Sequence, residues 1–176
     1  MKGHFDLSRV LRPSRYINNE LNSVHKRSLV RVALAFPDIY DVGMSHLGLR
    51  ILYNIINNIP YASAERAFSP WPDMESEMRR LNLPLCTLES KDSLRNFDIV
   101  GFSLQYELSY PTVLNMLDLS GIPIRAEDRG DDDPIILAGG PCAVNPIPMS
   151  SFIDAFLIGD GEEAIGEIID VVYQSK

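Results

Sequence analysis

The residues able to do chemistry in this sequence gather at a few glycine-rich turns. The run Phe156-Leu-Ile-Gly-Asp-Gly-Glu-Glu163 ends an apolar stretch in a glycine-flanked turn that carries Asp160, Glu162 and Glu163. Turns of this shape often cradle phosphates, but three carboxylates repel an anion. Asp160 and Glu163 instead have the N-cap and N3 spacing of a capping box, and acids in a first helical turn suit the positive end of the helix dipole. On local physics the acidic turn is a helix start, or a docking or hydroxyl-binding edge. Ser103, Gln105, Tyr106 and Glu107 follow a central apolar run, where ligand contacts are common. Gly139 and Gly140 permit close backbone approach to a planar or phosphate-bearing ligand, or simply make a tight turn before Pro141. Cys142 follows with no neighbouring base or cation in sequence to lower its thiol pKa. The imidazoles are His4, His25 and His46, and His46 falls where a first helix begins. No Ser-His-Asp or Cys-His set, no Gly-x-Gly-x-x-Gly after the first strand and no Gly-x-x-x-x-Gly-Lys-Ser/Thr is present.

The elements that must position these residues alternate. Val30–Phe36 is a buried-strand run stopped by Pro37. Leu47, Ile51, Leu52, Ile55, Ile56 and Ile59 then recur at helical spacing, with Ser45 placed to cap. Ala62–Phe68 is a further strand. Asp73 can cap a helix that puts Met74, Met78 and Leu81 on one face. Leu85–Leu88 reads as a short edge strand or extended loop, Asp98–Leu104 as a strand, and Ser109–Leu119 as a helix with Pro111 in its first turn. The polar segment Arg125–Pro134 reads as a solvated loop before the strand Pro134–Gly140. Asp154–Ile158 is the last strand, and the closing helix, Gly161–Tyr173, buries Ala164, Ile165, Ile168, Ile169 and Val172. Such alternation implies right-handed βαβ units and a mainly parallel sheet of about five strands with helices on both faces. The expected fold class is therefore a three-layer α/β sandwich, flavodoxin-like or Rossmann-like. Its ligand rim, at the strands' carboxyl ends, comprises Pro37–His46, Ser69–Asp73, Gln105–Ser109, Gly140–Pro146 and Gly159–Glu163.

The chain has 176 residues, 45% hydrophobic and 23% charged, which suits a globular domain with a sizeable core. A net charge of −8 disfavours nucleic-acid binding by this domain alone. Basic residues do concentrate in the first 31 positions, at Lys2, Arg9, Arg12, Arg15, Lys26, Arg27 and Arg31. Residues 1–29 are thus expected as a basic arm on an α/β domain spanning 30–176. That arm is either a solvated extension or a surface for RNA or an acidic partner. No stretch approaches the roughly 20 apolar residues of a membrane span, and no secretory signal opens the chain. Cys86 and Cys142 have neither metal-ligand spacing nor a disulfide framework. A cytoplasmic location is expected.

A specific resemblance comes from an ordered set: Val30–Phe36 with Pro37-Asp38, Gly43-Met-Ser-His-Leu-Gly-Leu49, Asp98-Ile-Val-Gly-Phe-Ser103, Leu137-Ala-Gly-Gly-Pro141, and Ile158-Gly-Asp-Gly-Glu-Glu163. Together with Arg12-Pro-Ser-Arg-Tyr16 and Phe36-Pro-Asp-Ile-Tyr40, these resemble the N-terminal cobalamin-binding-type domain of radical S-adenosylmethionine (SAM) Fe–S oxidoreductases. The resemblance spans nearly the whole chain. It implies a cobalamin-domain sandwich with His46, Ser103, Gln105, Gly139, Gly140, Gly159 and Gly161 as cofactor-binding positions. It also implies a radical SAM barrel following in the full-length chain, as partner of this domain. There, a four-iron four-sulfur cluster on Cys-x-x-x-Cys-x-x-Cys would cleave SAM to a 5′-deoxyadenosyl radical. That cysteine motif is absent here, so no catalytic residue and no metal site are assigned to this chain. The Asp-x-His-x-x-Gly cobalt-ligand motif is also absent: Asp41-Val-Gly and Ser45-His-Leu-Gly48 occupy its region with different spacing.

Three functions stay open on the sequence. One is an accessory domain of a radical enzyme, binding cobalamin or shaping the substrate site. Another is a stand-alone interaction module that docks through the basic arm and the acidic loop. The third is a flavin or nucleotide binder using Ser103, Glu107 and Cys142.

Overall fold

The computed structural model describes residues 7–18 and 20–176; Lys2 and His4 lie outside the described residues. Five strands form one sheet: β1 (Val30–Phe36), β2 (Ala62–Phe68), β3 (Ile99–Ser103), β4 (Ile135–Gly139) and β5 (Ala155–Phe156). All neighbours pair in parallel in the order β2-β1-β3-β4-β5. The α/β sandwich expected from the alternation is what forms. A single helical turn, α1 (Tyr40–Gly43), follows β1, and α2 (Leu47–Asn58), α3 (Pro72–Leu81), α4 (Tyr110–Leu119) and α5 (Gly161–Gln174) complete the layers.

Each face of the sheet has its own core. Leu49, Tyr53 and Ile56 of α2 and Ile165, Ile169 and Val172 of α5 pack over Val32, Leu34 and Ile99. On the other face, Met74 and Met78 of α3 and Val113, Met116 and Leu117 of α4 cover Ala33, Ala35, Val100 and Ile136. β1 therefore buries both sets of alternating side chains, which is why it reads as one unbroken apolar run.

Several local expectations are corrected. Ser45 does not cap α2. Its hydroxyl turns back to donate to the Val42 carbonyl, and His46 is the N-cap, its Nδ1 accepting the Leu49 N–H at 3.2 Å. Leu47, placed on the apolar stripe, is exposed. Trp71, with Pro72 after it, begins α3, so Asp73 lies inside the first turn and accepts the backbone N–H groups of Leu11 and Met74. Asp160 holds the N-cap position of α5 but accepts no capping hydrogen bond through its side chain, so the capping box does not form. Of the α5 positions expected inside, Ala164 and Ile168 remain half-buried. Leu85–Leu88 contributes only one isolated bridge, Cys86 to Ser93.

The arm is anchored to the domain at Arg15 and Tyr16, while Arg12, Pro13 and Ser14 stay exposed. Arg15 is buried, its Nε is 2.5 Å from Asp41, and its guanidinium lies over the Trp71 ring. Arg12 also reaches Asp41, and Tyr16 accepts the Trp71 N–H through its hydroxyl oxygen. The acidic loop is likewise tied down: Arg129 donates to the carbonyls of Pro123 and Phe152 and pairs with Asp154.

Beneath the arm, β2 carries two charged residues into the interior. Arg66 donates through Nε to Glu89 at 2.6 Å, and both side chains are almost wholly buried. Glu65 accepts from the Thr87 and Ser90 hydroxyls and the Ser90 N–H. These bonds replace the water both carboxylates lose, as buried charge requires.

Candidate functional site

In a parallel sheet of this order, β1 and β3 are neighbours whose crossovers leave in opposite directions, and a crevice opens at their carboxyl ends. A cleft of about 200 Å³ occupies that position, between the sheet, α2 and α5. The volume exceeds the roughly 150 Å³ that accommodates a benzene in an engineered cavity, so a flat ring fits. Its walls are apolar, from Leu34, Leu49, Leu52, Leu137 and Ile165. All seven positions expected from the sequence line it: His46 at the start of α2, Ser103 and Gln105 at the end of β3 and beyond it, Gly139 and Gly140 from β4 and its turn, and Gly159 and Gly161 at the start of α5.

Glycines create the space. Gly161 sits where a Cβ would touch Leu52 and Leu157 at 3.4 Å, and Gly159, at φ +118°, faces open space. Gly140 serves a different purpose. At φ +98°, a Cβ there would lie 2.9 Å from the Leu104 carbonyl oxygen, so the crossing of the β3 and β4 turns demands glycine. That crossing is fixed by the Leu104 N–H donating to the Gly139 carbonyl and the Cys142 N–H donating to the Leu104 carbonyl.

The polar end is compact. Gln105 donates through Nε2 to the Ser103 hydroxyl at 2.7 Å, leaving the Gln105 carbonyl oxygen as an acceptor. His46 stacks obliquely on Phe36, and its Cε1 would lie 3.1 Å from a Cβ added at Gly48. Since His46 Nδ1 accepts the Leu49 N–H, the neutral ring carries its proton on Nε2. Asp160 and Glu162 stand at the mouth, so the entrance is acidic while the interior is apolar. Across the rim, the Tyr106 hydroxyl donates to Asp38 at 3.1 Å, and that bond raises the phenol pKa.

Cys142 and Glu107 are not in the cleft with Ser103, so the three do not form a common site. Burial pushes the Cys86 thiol up to about 11, which keeps it an inert neutral group.

Gly101 was not singled out by the sequence, yet it lies in the cleft floor at the centre of β3. A Cβ there would meet only Leu34 Cδ2, at 3.8 Å. Its signal was available: glycine inside a buried strand weakens the strand and often marks a close approach by a ligand.

Two comparisons bear on this arrangement. An uncharacterized protein of Methanocaldococcus jannaschii, MJ0966, is 27% identical over 137 residues. The match covers 77% of this chain and 25% of that relative, so the chain spans about a quarter of the relative's length. Residues 48–176 match the family model described as radical SAM proteins, N-terminal. That span includes β2 through α5 and every cleft position except those contributed by β1 and His46. The chain belongs to the family of N-terminal domains of radical SAM proteins.

Proposed function

We propose that the chain is the accessory domain of a radical SAM iron–sulfur enzyme, and that its rim cleft takes a flat heterocyclic part of a cobalamin-type cofactor. One observation carries the reading: in a member of this family, Gly101, Gly139 and Gly161 open an apolar, ring-sized cleft at the sheet's switch point. Among the described residues no three His, Cys, Asp or Glu side chains converge as metal ligands. This reading assigns the cluster and SAM to a following domain, because the Cys-x-x-x-Cys-x-x-Cys that would hold the cluster does not occur in this sequence.

The residues present fit such a cofactor in a particular way. Ser103 and Gln105 offer a donor and an acceptor at the polar end, and the acidic mouth disfavours a deeply inserted phosphate. Bonding His46 Nε2 to cobalt would require the other tautomer and would forfeit the cap on α2. The cleft, not an imidazole, is therefore what holds the group. Cobalamin bound there would supply a redox-active cobalt at the rim. The same His46 geometry favours one second reading, in which the cleft shapes the substrate site without cobalamin.

The test is titration with hydroxocobalamin followed by gel filtration. The expected result is co-elution of the corrin absorbance, retained when His46 is replaced by Gln. Neither co-elution nor a thermal shift would reject cobalamin and leave the second reading.

A further inference from the structure

The basic arm covers a second cavity. About 50 Å³ of space lies between the arm, the carboxyl end of β2, α3 and residues 85–91. A buried water needs roughly 10–15 Å³, so there is room for a few waters or one small polyatomic ion. The floor is apolar, from Met74, Met78 and Leu85. The wall carries Arg15 from the arm, Arg66 from β2 and Lys91 from the loop beyond Leu88, and no Asp or Glu. Three cations from three separate segments thus converge on one cavity in a chain of net charge −8.

The three are not equally satisfied. Arg66 is spent, donating to Glu89 through Nε and to Ser23 through Nη2. Arg15 gives Nε to Asp41, which is not part of the wall, leaving its Nη groups to donate elsewhere. Lys91 donates to the Tyr16 carbonyl at 2.6 Å, and among the described residues no carboxylate pairs with its Nζ. Burial holds this ammonium below its ordinary pKa, and the more distant Glu89 offsets that only in part. Lys91 also sits at φ +60°, a left-handed conformation that lysine rarely adopts, so the fold keeps it there against local preference. A half-buried cation with no anion beside it is a costly arrangement that a bound anion relieves.

We propose that this cavity binds a small oxyanion of the phosphate or sulfate class, which bridges Lys91 to Arg15 and locks the arm onto the domain. The positive wall repels a metal cation, and tetrahedral oxyanions match the fork of donors that a guanidinium presents. Arg15 and Tyr16 belong to the arm and Lys91 to the domain, so the bound ion reinforces the Lys91–Tyr16 bond across the same joint. The site shares no lining residue with the rim cleft and does not depend on the accessory-domain reading.

The experiment is calorimetric titration of the protein with inorganic phosphate and with sulfate at constant ionic strength, with hydrogen–deuterium exchange followed at residues 10–16. Saturable binding is expected, with the amides of 10–16 exchanging at least about fivefold more slowly when the site is filled. Lys91→Asn keeps a residue that tolerates the left-handed backbone but removes the charge, and should weaken binding at least about tenfold. Lys91→Arg should retain most of the affinity. Crystals soaked in selenate give a readout independent of any variant: an anomalous peak within hydrogen-bond distance of Lys91 Nζ and Arg15. No saturable binding, no peak at that position, or unchanged binding by Lys91→Asn would overturn the proposal. Equal protection of 10–16 by chloride would also overturn it and leave an adventitious ion only.

Discussion

Replacing Gly101 separates the two jobs of the cleft floor. A Cβ at this position meets only Leu34 Cδ2 at 3.8 Å, an ordinary contact, so alanine enters without displacing backbone. Glycine within a strand costs about 0.5–1 kcal/mol relative to alanine, so Gly101→Ala should stabilise the free chain by that amount. In a domain of this length that is a rise of roughly 1–4 °C in melting temperature. Gly101→Val adds further methyl groups to the same floor and should stabilise at least as much, at about 0.8 kcal/mol per buried CH₂. Both changes narrow a cleft of about 200 Å³ from below. Ligand uptake should therefore fall at least about tenfold in the valine variant, a loss of about 1.4 kcal/mol or more. Thermal denaturation without ligand, and hydroxocobalamin titration of the same samples, read the two effects independently. Stability and binding should move in opposite directions. Destabilisation by Gly101→Ala would show that the floor is not open, and undiminished uptake by Gly101→Val would show that the ligand lies elsewhere.

Three further outcomes are expected. Arg66→Met leaves Glu89 buried without its cation and should cost about 3–5 kcal/mol, measured from urea unfolding. Gly140→Ala forces a side chain into a left-handed conformation against the Leu104 carbonyl; a loss of about 1–3 kcal/mol in unfolding free energy is expected. Tyr53 and Tyr40 are pushed up to about 12, first by burial and then, for Tyr40, by Glu20. Since the folded chain holds these protons more tightly than the unfolded chain, their stabilisation is complete below about pH 10 and lost as pH rises toward 12. Melting temperatures across that window should fall, and Tyr53→Phe should flatten the decline.

How far the sequence revealed the molecule depended on whether the deciding contact was local. β1 emerges with the bounds its apolar run implies, because a strand buried on both faces needs no alternation, and β2 keeps the expected bounds although Ser63, Glu65 and Arg66 interrupt its apolar residues. β5 is shorter than its run because only Ala155 and Phe156 pair in register with β4, the flanking Asp154 and Leu157 each donating one N–H to it, and an apolar run cannot state where pairing stops. Ser45 was a reasonable cap until the turn α1 claimed its hydroxyl. Pro72 set the start of α3 ahead of Asp73, although both residues were visible. The seven cleft-lining positions were legible because they lie at the strand ends, turns and helix starts that a parallel sheet brings to its carboxyl edge. Gly101 carried the signal of a glycine inside a buried strand, but where its missing side chain leaves space depends on Leu34, Leu137 and two helices that come together only in the fold. The Arg66–Glu89 pair was hidden for a related reason: its partners lie 23 residues apart and belong to different elements.

The accessory-domain claim is tested most directly by reading the source gene beyond the codon for Lys176. The account predicts an open frame that continues into a Cys-x-x-x-Cys-x-x-Cys segment. A stop codon shortly after Lys176 would contradict it and leave a binding module with no radical enzyme to serve.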